Sequence, residues 1–343
     1  MQLIFKDSKK LNLMRNLFFS LLLFLVYSCE DENQVQVHQG YALGTTYTVQ
    51  YRPINTSVDD VQNGIDSLFT VINKSMSTYI PNSDISKINQ GDTTVVVDIH
   101  FKNVFSKATE VWELTNGFFD PTVGAWVNAY GFGPEKPVKL LTDEKKIHLS
   151  KITGWNHVKL NDNLKVTKKF KETYIDFNAL AKGYAVDLIG NYIASLGSLD
   201  YLVEIGGEIV AHGISPKSGN PWRIAIDDPK QKTERRSIQQ LTLTNEAIAT
   251  SGNYRKFRID SLTGERYVHS INPLTGEPVK SNVLSTSVKA IDCMTADAYA
   301  TALMVLPFEK SKVLIDRLPN IEAYWIIASK DTIQEFYSRG WNK

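Results

Sequence analysis

The chain has 343 residues, 43% of them hydrophobic, and a formal net charge of +1. That length can build a sizeable core in one large domain or two. The balanced charge carries no concentrated basic surface and gives no case for a nucleic-acid partner.

The N-terminus departs from this ordinary composition. "MRNLFFSLLLFLVYSC" runs from Met14 through Arg15 into an apolar stretch, Leu17 to Tyr27, and ends at Ser28-Cys29. The stretch is too short to span a bilayer as a helix. A basic start, a short apolar centre and a small residue before a cut describe a secretory signal over residues 1–28, with Met14 as an alternative start. Val26, Tyr27 and Ser28 before Cys29 resemble a bacterial lipobox, although Tyr27 is bulky for its slot. An ordinary signal peptide with an incidental cysteine reads similarly. Lipidation is preferred because the cut falls at the only cysteine in the first 292 residues, and the polar tether "EDENQ" follows at once. Residues 29–36 are then the lipidated cysteine and its tether. If Cys29 carries lipid, Cys293 has no disulfide partner and is read as a small buried hydrophobe.

From about Val37 to residue 343 no repeat or low-complexity linker interrupts the chain, which reads as one globular unit. "TTYTVQYR" (Thr45 to Arg52) alternates and is β-branched, so it predicts a strand. Val61, Ile65, Leu68 and Ile72 share one face of a helix over Val58 to Ser75. Phe101 to Thr115 predicts a second helix, closed by Asn116-Gly117. Ala179 to Leu196 predicts a third, stopped by Gly197. "YLVEIGGEIVAHG" reads as a strand kinked at Gly206-Gly207. "WRIAIDDP", "SIQQLTLTN" and "SNVLSTSVKAI" read as strands, Met294 to Leu306 as a helix, and Ala323 to Ser329 and "DTIQEFYS" as late strands. Helices and strands mix without βαβ alternation. The class is therefore α+β, with largely antiparallel sheet flanked by helices.

Glycine-rich and polar stretches between these elements gather unusual residues. They are "GYALGTTY", "MSTYIPNSDISKIN", "GFFDPTVGAWVNAYGFGP", "DFNALAKGYAVD", "IGGEI", "IATSGNYRKF" and "HSINPLTGEPV". Glycine turns let backbone N–H groups approach phosphates. Tyr79, Phe118, Phe119 and Tyr254 offer flat faces to a ring. Lys182 and Arg255 can neutralise phosphate. Asp120, Asp176 and Asp297 can hold a hard cation or ring nitrogens, and His269 titrates near neutrality. Each has a plainer reading: Thr-Ser-Gly is commonly a turn, lone aromatics are commonly core, and a lone histidine is commonly a hydrogen-bonded loop residue. Asp297 and Thr301 are the sharpest case. They lie four residues apart, on one face of an otherwise apolar helix. A polar pair there needs either a hydrogen-bond network or a cation. Neither a P-loop nor a strand-coupled G-x-G-x-x-G is present.

Taken in order, "FDPTVG", "AKGYAVD", "IGGEI", "ATSGNYR", "HSINPLTG" and "ADAYATAL" make the chain, from about Gly40 to Leu306, resemble the ApbE family. These are FAD:protein FMN transferases of bacterial membranes. The resemblance implies an α+β catalytic domain that splits FAD at its pyrophosphate, attaches FMN to a Thr or Ser hydroxyl of an acceptor protein, and releases AMP with Mg²⁺. It implies that Asp297 and Thr301 bind Mg²⁺ through side chains and Ala179 through its backbone. It implies that Tyr79, Phe118, Phe119, Asp120, Asp176, Lys182 and Ile271 line the FAD site, with Leu43 where many members have Met. His269 falls at the histidine of "HxIxPxTG", a candidate base for the acceptor hydroxyl. The expected partners are FAD, an acceptor subunit of a membrane redox complex, and the membrane itself through lipid on Cys29. The expected location is the periplasmic side of the cell envelope, at the inner membrane in preference to the outer. A Mg²⁺-dependent FAD pyrophosphatase and a non-catalytic flavin-binding lipoprotein are the alternatives.

Overall fold

A computed structural model describes residues 34–135, 141–230, 236–253, 257–259, 266–329 and 332–342. The signal segment and Cys29 lie outside the described residues, as do Tyr254 and Arg255. Residues 35–343 form one compact unit. No helix among the described residues is long and apolar enough to cross a membrane.

The unit is organised by an eight-stranded sheet. In chain order its strands are β1 (Gln36–Ala42), β2 (Thr45–Tyr51), β5 (Tyr201–Ile205), β6 (Glu208–His212), β9 (Glu246–Gly252), β14 (Val283–Ala290), β15 (Glu322–Ser329) and β16 (Thr332–Tyr337). They lie side by side in that order. Every neighbouring pair is antiparallel. Side chains alternate between two covered faces. On β15, Ala323, Trp325 and Ile327 join the large core, while Tyr324 and Ile326 join a smaller one. Burial on both faces explains why β15 reads as a nearly continuous apolar run.

The large core lies under helices α1 (Val58–Met76), α3 (Ile99–Leu114), α6 (Ala181–Ser195) and α7 (Cys293–Val305). The smaller core lies under the hairpin of β7 (Trp222–Asp227) and β8 (Ser237–Leu243), where Trp222, Ile226 and Leu243 meet Leu202, Ile248 and Tyr324. Short helices α2 (Asp84–Asn89), α4 (Gly124–Ala129), α5 (Asp143–Ile152) and α8 (Phe308–Ile315) fill the connections. Small hairpins β3 (Val158–Leu160)/β4 (Val166–Lys168), β10 (Phe257–Ile259)/β11 (Arg266–Val268) and β12 (Ile271–Asn272)/β13 (Glu277–Pro278) complete the unit.

Two sequence expectations change. Gly206-Gly207 does not kink one strand. It makes a two-residue hairpin, with Ile205 paired to Glu208 and φ of +66° and +107° at the glycines. Two left-handed residues in succession are what a tight hairpin of this hand requires. "ATSG" is not a turn but the end of β9, a central strand. Its polar residues are matched across the sheet, as in Thr250 Oγ1 to Ser287 Oγ at 2.7 Å.

Candidate active site

Helices α6 and α7 cross at the centre of the site, and each helix caps the other. Asp297 on α7 accepts the Gly183 N–H of α6 at 3.1 Å. Asp187 on α6 accepts the Cys293 and Met294 N–H groups at the start of α7, at 2.7 and 2.8 Å. Carboxylates at helix N-termini complement both the unpaired N–H groups and the dipole. The approach is close because Gly183 lacks a side chain. A Cβ there would lie 2.3 Å from the Cys293 carbonyl oxygen.

This crossing exposes an oxygen. The Gly183 N–H would otherwise close the first helical turn onto Ala179. Since Asp297 takes it, no backbone N–H among the described residues closes on the Ala179 carbonyl. Thr301, one turn beyond Asp297, has its hydroxyl 3.3 Å from Ser251 Oγ on β9. Lys182 lies between two acids, with its Nζ 2.5 Å from Glu208 Oε1 and 3.8 Å from Asp297 Oδ2. Both carboxylates are buried, at 4% and 3% exposure, and they share one half-buried ammonium. Burial raises the Asp297 carboxyl above its usual range, and Lys182 works against that rise. Burial penalises the Lys182 ammonium, but Asp297 and Glu208 outweigh it and hold its pKa above the ordinary lysine value.

The remaining stretches are linked by contacts between neighbouring segments. Leu43 and Gly44, at φ of +51° and +76°, form the β1–β2 turn. It lies beside the Gly206 turn, where the Gly206 N–H donates to the Thr46 carbonyl at 3.1 Å. Asp176 begins the segment that leads to Ala179 and Lys182. Its backbone N–H donates to Pro121 at 2.8 Å, and its carboxylate accepts from the Asn178 N–H, also at 2.8 Å. Burial raises the Asp176 carboxyl, opposed by Asn178. Exposed Tyr79 stands within electrostatic reach of Asp176. The β12–β13 hairpin lies on the 117–130 segment, since a Cβ at Gly276 would enter the Trp126 ring. Ile271 is buried in that hairpin. His269, just before it, packs edge-on to Phe132 at 6.4 Å. Ser270 Oγ donates to Asn253 Oδ1 at 2.7 Å, which ties this loop to the end of β9.

Two aromatic and acidic candidates sit differently from a lining role. Phe119 turns its ring into the core and presents no stacking face. Asp120 is buried and its oxygens are engaged by the Thr122 N–H and hydroxyl and by the Trp155 N–H. Its side chain therefore caps a turn, and this segment can offer a ligand its backbone. Phe118 is half-buried, with Lys310 Nζ 5.4 Å from its ring centre, beside a cleft of about 470 Å³ between α3 and α8. Cys293 is a free, buried thiol, and burial pushes its pKa well up, as an inert core position requires.

Glu208 and Asp187 had no assigned role in the sequence reading, although both stand in the quoted motifs. The available signal was an acid flanked by apolar residues in each, "GGEIV" and "YAVDLI", which needs a compensating partner once buried.

The donor set at the crossing suits a hard cation. It is made of carboxylate, hydroxyl and carbonyl oxygens, without the nitrogen or sulfur that zinc prefers. Among the described residues no three His, Cys, Asp or Glu side chains cluster at metal-binding distance. A cation here would take further ligands from water or substrate phosphate, which is how Mg²⁺ is ordinarily held.

An antiparallel sheet carrying two mutually capped helices, with buried acids at their crossing, defines the chain as an α+β protein with a polar centre. The chain belongs to the ApbE family, whose model matches residues 43–325. It is 38% identical over 333 residues to the FAD:protein FMN transferase of Vibrio cholerae, covering 95% of this chain and 97% of that one. It is 34% identical to the enzyme of the same name from Haemophilus influenzae, covering 88% of each. The solved structure of the flavin transferase ApbE from Vibrio cholerae superposes with a TM-score of 0.79 at 35% identity, over 89% of this chain and 97% of that one.

Proposed function

We propose that this chain is a FAD:protein FMN transferase that joins FMN to a Thr or Ser hydroxyl of an acceptor protein through a phosphoester and releases AMP. The near-full-length relatives of that name support the reading. The observation that carries it is the α6–α7 crossing, where buried Asp297, one helical turn from Thr301, accepts the Gly183 N–H and lies 3.8 Å from Lys182 Nζ.

In this reading the acceptor hydroxyl oxygen attacks the phosphorus on the riboflavin side of the pyrophosphate. A new P–O bond forms, the bond from that phosphorus to the bridging oxygen breaks, and AMP departs with the bridging oxygen. His269 takes the hydroxyl proton, and the Phe132 edge contact orients its ring. Asp297, Thr301 and the Ala179 carbonyl would hold Mg²⁺, which when bound neutralises pyrophosphate charge. Lys182 faces the phosphates. Leu43, Tyr79, Phe118, Asp176 and Ile271 border the flavin nucleotide, with the backbone of Phe119 and Asp120. Positioning and fixed charge supply most of the acceleration, as in other phosphoryl transfers. Residues 1–28 direct export, and lipid on Cys29 holds the domain at the periplasmic face of the envelope, near a membrane-bound acceptor.

The test is in-gel flavin fluorescence after incubation with FAD, Mg²⁺ and a candidate acceptor. A fluorescent band at the acceptor that survives denaturation is expected. FAD cleavage that never labels any acceptor, across a panel of redox-complex subunits, would favour simple hydrolysis instead.

A further inference from the structure

Glu208 lies outside the residues assigned so far to metal or flavin, yet its placement is unusual. It is the first residue of β6, directly after the Gly206-Gly207 turn, and only 4% exposed. Its Oε1 meets the Lys182 ammonium at 2.5 Å. Its Oε2 is buried and has no hydrogen-bond partner among the described residues. The same ammonium stands 3.8 Å from Asp297 Oδ2, the oxygen that also accepts the Gly183 N–H. One cation is therefore shared unequally between two buried acids.

That inequality matters for any cation that must reach Asp297. Two unit charges attract in inverse proportion to their separation, and the attraction is strong where water is excluded. An ammonium closed onto Asp297 would compete directly with a divalent ion. Held instead by the shorter, charge-assisted bond to Glu208, it stands 3.8 Å from Asp297, whose one hydrogen bond among the described residues comes from the Gly183 N–H. With both carboxylates ionised, the cluster carries one more negative charge than positive, which favours uptake of a cation.

We infer that Glu208 is a positioning residue for cation binding: by holding the Lys182 ammonium away from Asp297, it keeps that carboxylate open to a divalent metal ion. This rests on the reading of Asp297 as a metal-binding residue. Removing the Glu208 charge while keeping its shape should let Lys182 swing onto Asp297 and shut the metal out.

The experiment measures Mn²⁺ binding by electron paramagnetic resonance, with FAD absent, on the folded domain. The wild type, Asp297→Ala, Glu208→Gln, Glu208→Asp, Lys182→Met and the Lys182→Met/Glu208→Gln double variant are compared. Wild-type binding that disappears in Asp297→Ala establishes the metal reading independently; equal binding in those two proteins removes that reading and this inference together. With it in place, Glu208→Gln should weaken Mn²⁺ binding by about tenfold or more, equivalent to a loss of at least one strong charge interaction. Glu208→Asp, which keeps the charge, should stay within about threefold of wild type. The double variant should recover the affinity, and a metal-free crystal structure of Glu208→Gln should show Lys182 in direct contact with Asp297. Wild-type affinity in Glu208→Gln, or an ammonium that has not moved, overturns the inference. Should Glu208→Gln fail to fold, Lys182→Met decides: retained or tighter binding supports a displaced competitor, and loss of binding overturns it.

Discussion

Asp297 and Thr301 were legible because helical spacing puts them on one face of a run of Ala, Met and Leu. The structure supplies what spacing does not show: the Asp297 carboxylate is 3% exposed and faces both a helix N-terminus and an ammonium. Its proposed role as metal ligand predicts that Asp297→Ala abolishes the magnesium response of FAD cleavage. Asp297→Asn should also be poor because it keeps the shape and loses the charge, while Thr301→Ala loses one neutral oxygen and should be milder. Cleavage titrated against Mg²⁺ for the three variants checks this ordering, and a wild-type magnesium curve for Asp297→Ala would remove the assignment. For His269 the expectation concerns chemistry alone. His269→Ala should still bind FAD but transfer about 10²- to 10⁴-fold more slowly. Single-turnover transfer at an unchanged rate would reduce it to a loop residue. Glu208 was hidden for a physical reason, since the glycine pair before it drew attention to the backbone and its partner Lys182 lies 26 positions away in sequence. No spacing rule links them.

The reciprocal caps of α6 and α7 govern the next scale. Burial pushes the Asp187 carboxyl up to about 7, with the Cys293 and Met294 N–H groups opposing the rise. The folded carboxyl therefore keeps its proton to about pH 7, whereas the unfolded one releases it near the ordinary aspartate value of 3.8. The folded state binds more protons across that interval, so this group's contribution to stability falls as pH rises from about 4 to 7 and is flat above. Asp187→Asn should flatten that part of the profile, seen as urea midpoints that change less between pH 4 and pH 7 than those of the wild type. An unaltered slope would mean that Asp187 does not carry it. Gly183 is the other half of the joint. Gly183→Ala places a methyl against the Cys293 carbonyl and the Met294 Cα, and should cost about 1–3 kcal/mol as an overpacked contact. It should also loosen the Asp297 bond, so magnesium affinity should fall with thermal stability. Normal values of both would show that the helices separate without strain. Helices α1, α3, α6 and α7 were all foreseeable from periodicity and caps. Strand β9 was not, because "ATSG" carries turn-forming residues, and only pairing to β6 and β14 overrides them. The short β12–β13 hairpin carries too few residues for a period to register.

For the whole molecule, alternating strands and amphipathic helices were enough to indicate an antiparallel α+β unit. They could not give strand order, which joins segments as distant as Tyr47 and Ile205. Nor could they show that the β7–β8 hairpin covers the second face of the sheet. The proposed lipid anchor at Cys29 has its own test. Cys29→Ser should move the protein from the membrane fraction to the soluble fraction, or leave it unprocessed. Wild-type fractionation and wild-type mass in that variant would contradict a lipid anchor at this position. The central claim is transfer of FMN rather than hydrolysis, and intact-mass spectrometry of an acceptor subunit incubated with the domain, FAD and Mg²⁺ tests it most directly, with AMP measured in the same tube. The account predicts one FMN adduct on a Thr or Ser for each AMP released, and neither product with Asp297→Ala. AMP accumulating with free FMN and an unmodified acceptor, for an acceptor that a related transferase does label, would contradict it.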